Sequence, residues 1–196
     1  FNLNNSLKFG FVRGPVWNFG DEDMKNGIEE FVKNSQLDIE NLDLGKDFED
    51  AAKAHEIIMN GSIANSLINY YQADKSNLHP FTVKRIEAGI PASASDYVSA
   101  IEKAKKMEQT LRQFFLKYDA IITPAAPGQA PRDLMNTGNA IFNGYWTMMG
   151  VPAISLPFLK GKDDLPIGIQ FIANWSEDLK LLEICKEVLK KEKLAD

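Results

Sequence analysis

The sequence predicts an α/β fold, a mixed β-sheet covered by helices on its faces. Three observations carry this. Short apolar runs of strand length recur near both ends of the chain, and helical periodicity fills the middle. Between Tyr118 and Ala173 three strand-like runs are separated by loops, and this stretch holds six of the nine prolines: Pro124, Pro127, Pro131, Pro152, Pro157 and Pro166. So punctuated a stretch reads as strand ends and fixed loops, the usual ground for binding sites.

Taken in order, Leu7–Val12 reads as a strand stopped by Gly14-Pro15. Asp21 offers an N-cap, and Glu22 and Asp23 suit the positive end of a helix. Met24, Ile28, Phe31 and Val32 carry that helix to about Asn34. Leu37–Leu44 alternates apolar and polar residues as a half-exposed strand does. A helix follows over 47–72, with Ile57, Ala64, Leu67, Ile68 and Tyr71 on one face. His79-Pro80 breaks the chain, and a short helix over 81–88 ends at Gly89 and Pro91. The helix over 94–117 has the clearest stripe: Tyr97, Ile101, Ala104, Met107, Leu111, Phe114 and Phe115. Glu102–Lys106 and Glu108–Arg112 are spaced as helical ion pairs on its wet face.

Asp119–Thr123 is a buried-type strand stopped by Pro124. A loop runs to about Asn139, and Ile141–Met149 makes one or two helical turns ended by Gly150. Pro152–Phe158 and Ile167–Ala173 read as a hairpin around the polar turn Lys160–Asp164. Ser176, with Glu177 and Asp178, is expected to cap a last helix whose face is Leu181, Leu182, Cys185, Val188 and Leu189.

The chain has 196 residues, enough for one sizeable core. It reads as a single incomplete domain over 1–196: strand-helix-strand over 1–45, helical cover over 46–117, sheet core and pocket wall over 118–175, and a C-terminal helix over 176–196. The start at Phe1, running quickly into an apolar strand and with no signal-peptide pattern, suggests a piece of a longer polypeptide.

Composition excludes several functions. Residues 1–50 carry 5 Lys/Arg and 11 Asp/Glu, a net −6, and the rest of the chain is close to neutral. No basic face exists to neutralise phosphates, so nucleic acid is not an expected partner. No apolar run reaches the roughly 20 residues of a membrane span, so no membrane partner is expected either. The single cysteine, Cys185, sits on the apolar face of the last helix. It can form no internal disulfide or cysteine-built metal cluster, and it fits a cytoplasmic location.

His55 and His79 lie far apart in sequence. His55-Glu56 lacks a second histidine four positions on, where Met59 stands, so no metal site is expected. No G-x-G-x-x-G, G-x-x-x-x-G-K-[ST] or G-x-S-x-G motif occurs, and no cofactor is expected. Asp43, Asp47, Glu49 and Asp50 cluster at a strand-to-helix turn and read as capping and solvation.

The residues alone therefore describe an α/β unit without a visible catalytic set. YDAIITPAAPGQAP, FNGYWTMMGVPAISLPF and LPIGIQFIA, in that order, resemble the C-terminal part of the amidase signature family of serine hydrolases. Upstream, FGFVRGPVW and IEAGIPASASDYVSAI resemble family segments in the matching order. The resemblance implies hydrolysis of a carbon–nitrogen amide bond. In this family a serine nucleophile works with a second serine at a cis peptide bond and a lysine that carries the proton, while backbone N–H groups hold the oxyanion.

No serine of this chain matches either catalytic serine, so no catalytic residue is assigned to it. Ser93 and Ser95 read as capping residues and Ser155 as part of a strand. The chain by itself is expected to be inactive and to pair with a missing N-terminal catalytic portion, or with a second copy as a homodimer, through its uncovered edges.

The resemblance also implies a substrate side. Thr123, Phe142, Asn143 and Trp146 are the expected substrate-binding residues. Phe142 and Trp146, four apart, read equally as core contacts of a short helix. The glutamyl-tRNA amidotransferases have a family member as their amidase component, in which an arginine and an aspartate grip a free amino acid. Spacing puts Ala104 and Ala140 at those positions, which implies a small neutral amide substrate. Two other readings stand beside this one. One is hydrolysis of allophanate or a urea derivative. The other is a non-catalytic α/β binding or assembly module on the same scaffold.

Overall fold

The computed structural model describes residues 7–133 and 135–192. The expected chain start at Phe1 and the last four residues of the 176–196 segment lie outside the described residues. Five strands form one mixed sheet: β1 (Lys8–Phe11), β2 (Asp38–Asn41), β3 (Ala120–Pro124), β4 (Ala153–Lys160) and β5 (Pro166–Ile172), in the order β2-β1-β3-β5-β4. β1 pairs parallel with β2 and β3, each reached by a helical crossover, and β5 runs antiparallel to both β3 and β4. The β4–β5 hairpin closes at Gly161–Leu165, where the Gly161 N–H donates to the Leu165 carbonyl. A register shift between Leu156 and Leu159 accommodates Pro157 on this edge strand.

Six helices cover the sheet: α1 (Glu22–Asn34), α2 (Ala51–Asp74), α3 (Pro80–Gly89), α4 (Ala94–Phe114), α5 (Gly144–Met149) and α6 (Asp178–Glu192). Strand residues alternate faces. Phe9, Phe11, Ile122, Ile169 and Phe171 point to the face packed by α1 and α6, where Phe171 meets Phe9 and Phe158 edge-on. Phe158 in turn stacks on Phe31 of α1. Thr123 and Gln170 point to the other face, beneath α5, which α2 and α4 back.

Local capping sets several helix starts, as expected at Ser93 and not as expected at Ser176. His79 caps α3, its Nδ1 accepting from the Phe81 N–H, with Pro80 at the first helical position. Ser93 caps α4 by accepting from the Asp96 N–H. Ser176 does not cap α6. It takes a left-handed φ of 62°, and the helix begins two residues later. On α6 the buried residues are Leu181, Ile184, Cys185 and Val188, while Leu182 is turned to solvent. The face is thus rotated from the expected one, with α6 packed over both β4 and β5.

Asp21 holds the N-cap position of α1 without a side-chain cap bond. The expected pairs Glu102–Lys106 and Glu108–Arg112 are absent among the described residues. Lys103 instead reaches Asp50 (2.6 Å), and Thr110 donates to Asp47 (2.8 Å). The carboxylates before α2, expected to serve only capping and solvation, therefore also fasten α4. No helix of the described residues is long and apolar enough to cross a membrane.

Candidate active-site cleft

β3 ends at Pro124, and the chain leaves the sheet for a long loop that returns at Asn143 ahead of α5. This loop forms one wall of a cleft of about 1370 Å³. The start of α1, which packs against this loop, and the β4–β5 turn also line the cleft. The floor is the uncovered end of the sheet face that carries Gln170. In register, Thr123, Gln170 and Ser155 form a row across three strands. The row passes from fully buried Thr123 to exposed Ser155, with Gly168 and Ala125 beside the serine. Small side chains there leave the floor open.

The walls are pinned by polar contacts between segments distant in sequence. Asn143 Nδ2 donates to the Ala125 carbonyl (3.1 Å). Gln170 Nε2 donates to the carbonyls of Pro124 (2.7 Å) and Phe142 (3.1 Å). The Asp21 N–H donates to the Pro127 carbonyl (2.7 Å). The approach is so close that Gly128 has no room for a Cβ, which would meet the Asp21 carboxylate. At the far end Arg132 pairs with Asp163, which also accepts from Gln129. The Lys162 N–H donates to Asp23 (2.9 Å). Arg132, followed by Gln129, holds the Asp163 carboxyl below its ordinary range.

Of the four expected binding residues, only Asn143 lines the cleft. Thr123 and Phe142 are 0% exposed and Trp146 1%, so these three lie beneath it. Phe142, in the turn leading into α5, and Trp146 on α5 both pack into the core. Thr123 Oγ1, Tyr145 Oη and Trp146 Nε1 are buried together, and burial raises the Tyr145 hydroxyl far above its ordinary pKa, an effect that Thr123 and Trp146 beside it only partly offset. Ala140 lies on the cleft wall. Ala104 instead lines a second, apolar cavity of about 300 Å³ beside His55, Ile58 and Met148.

Ser155, Gly168, Asp163 and the start of α1 were not singled out as binding residues from sequence. The hairpin turn could have placed Ser155 opposite Gln170. Nothing local in the sequence brings Asp21 to Pro127.

Chemically the cleft can bind and orient. Among the described residues no hydrogen bond joins Ser155 to a lysine, histidine or carboxylate, and no cluster of three His, Cys, Asp or Glu could hold a metal ion. Cys185 is buried on the inner face of α6, its thiol pushed up to about 12 by desolvation.

A sequence profile described as Amidase matches residues 3–182. The chain belongs to the amidase family. Among curated relatives, the A-type component of the glutamyl-tRNA(Gln) amidotransferase of Aliarcobacter butzleri is 33% identical over 125 residues, covering 58% of this chain and 28% of that protein. Its counterpart in Acinetobacter baumannii is 33% identical over 132 residues, covering 60% of this chain and 26% of that protein.

Among solved structures, an amidase superposes with TM-score 0.78 at 17% identity, covering 92% of this chain and 44% of that one. The 6-aminohexanoate cyclic dimer hydrolase, complexed with substrate, superposes at 0.72 and 18% identity, covering 96% and 46%. Allophanate hydrolase from Kluyveromyces lactis gives 0.75 at 18%, covering 95% and 32%. These likenesses show an amidase-signature α/β fold. The chain spans about a quarter of the curated relatives it matches and less than half of these structures.

Proposed function

We propose that this chain forms the substrate side of an amidase that hydrolyses the carbon–nitrogen bond of a small neutral amide. On this reading the serine nucleophile, the second serine at a cis peptide bond and the lysine are supplied by sequence outside the chain. The observation that carries the proposal is a large cleft with a small-residue floor, polar walls and no nucleophile–base pair of its own. Asn143 contacts the substrate. Thr123, Phe142 and Trp146 support the wall from below.

Charge favours a neutral substrate. Asp21, Glu22, Asp23 and Asp163 line the cleft against Arg132 and Lys162. Arg132 is already committed to Asp163, so a free carboxylate such as that of glutamine meets unfavourable charge. Ala140 on the wall offers no charge to grip an amino acid. The amide, the catalytic portion and a second copy are the expected partners, and the cytoplasm is the expected compartment.

The test is an activity panel on the full-length protein that contains this chain. Aliphatic or aryl amides turned over in preference to glutamine support the reading, with the isolated chain inactive. Preference for glutamine overturns the substrate assignment. No hydrolysis of any amide leaves the non-catalytic module as the better description.

A further inference from the structure

Gln170 is a primary amide on β5, 3% exposed, where its neighbours Ile169 and Phe171 are fully buried core residues. Burying such a group without partners costs on the order of 1–3 kcal/mol. Its Nε2 spends both N–H groups on two backbone carbonyls, those of Pro124 and Phe142. Pro124 is the last residue of β3, and Phe142 is the residue before Asn143. The two carbonyls are therefore the two ends of the cleft loop. Asn143 adds a second tie at the same neck by donating to the Ala125 carbonyl. At the far end of the loop, Arg132 and Gln129 are held by Asp163.

We propose that Gln170 is a positioning residue for the amidase reaction, its side-chain amide drawing together the two ends of the 125–142 loop so that the loop stands as a fixed wall of the substrate cleft. This rests on the function proposed above. A loop fastened at the neck and at the far end presents one geometry to the substrate, and misplacement of such a wall weakens binding before it changes the reacting groups. Gln170 touches no substrate. It acts through the loop backbone and Asn143.

The experiment uses the full-length protein with Gln170→Glu, which keeps the shape but replaces the two donated N–H groups with a carboxylate oxygen. For neutral amides at neutral pH the KM rises about tenfold or more while kcat stays within about twofold, because what is lost is positioning of the substrate. Deuterium uptake rises in 125–143 and not in α6. As pH falls and the new carboxyl protonates, one O–H donor returns and KM moves back toward wild type. A side chain that served only to fill space would show neither the KM rise nor the pH-dependent recovery in this isosteric variant.

Uptake unchanged in 125–143 overturns the proposal, whether or not activity is detected. Raised uptake in a parent protein that hydrolyses no amide upholds the tie at the loop neck and overturns the proposed function instead. If Gln170→Glu fails to fold, Gln170→Met removes both donated N–H groups without placing a charge there and raises uptake in the same segment. Unchanged uptake there overturns the proposal equally.

Discussion

Gly168 lies directly against Ser155 on the neighbouring strand, so that a Cβ at position 168 would overlap the serine hydroxyl and stand 3.0 Å from the Ala125 Cβ. The hydroxyl can rotate away, being exposed, but Ala125 is fixed at the end of β3. Gly168→Ala therefore narrows the cleft floor more than it strains the fold. We expect a stability loss toward the low end of the roughly 1–3 kcal/mol typical of overpacking. The KM for bulky amides should rise more than that for small ones. Thermal denaturation and a two-substrate comparison on the full-length protein check this.

Asp163 joins the β4–β5 turn to the cleft loop through Arg132 and Gln129. Its folded pKa is depressed below 3.8, chiefly by Arg132. A depressed carboxylate contributes stability that is present above its unfolded value and lost as pH falls through the folded one. The contact thus persists at neutral pH and opens only on acidification. Arg132→Gln should move the Asp163 titration back up toward 3.8, read by NMR of its carboxyl carbon.

His55, on α2, lies close under Gly144 at the start of α5, and titrates below 6.5 because of burial and then the nearby Arg85. The folded protein prefers the neutral ring. Its contribution is complete above 6.5 and is lost as pH falls through the lower folded value. The urea midpoint should therefore drop between pH 7 and pH 5, and His55→Gln should flatten that slope.

Phe171 is fully buried and meets Phe9 at 6.1 Å and Phe158 at 6.4 Å between ring centres. Phe171→Ala removes the centre of the face shared by α1 and α6. It should cost about 3–5 kcal/mol in equilibrium unfolding. Phe19→Ala, at an exposed position, should cost about 0.5 kcal/mol or less.

Much of the fold was legible because periodicity and punctuation are local. Alternation and short apolar runs marked all five strands, and the prolines and glycines marked most of their ends. The site was legible only as a region. Thr123, Phe142, Asn143 and Trp146 fall in one stretch, but a four-residue spacing says only that Phe142 and Trp146 share a face. It does not say whether that face meets core or solvent.

By itself the sequence determined the order and type of the elements, the α/β class and the motifs that resemble amidases, since each depends on residues near one another in the chain. Tertiary structure alone decided the rest. It buried Phe142 and Trp146 and left Asn143 at the cleft, because α2 and α4 pack over α5. It turned Leu182 out and Ile184 in, because α6 lies across two strands. It also brought Asp21 to Pro127 and Asp163 to Arg132, contacts whose partners lie far apart in the chain and meet only once the sheet has set their distance.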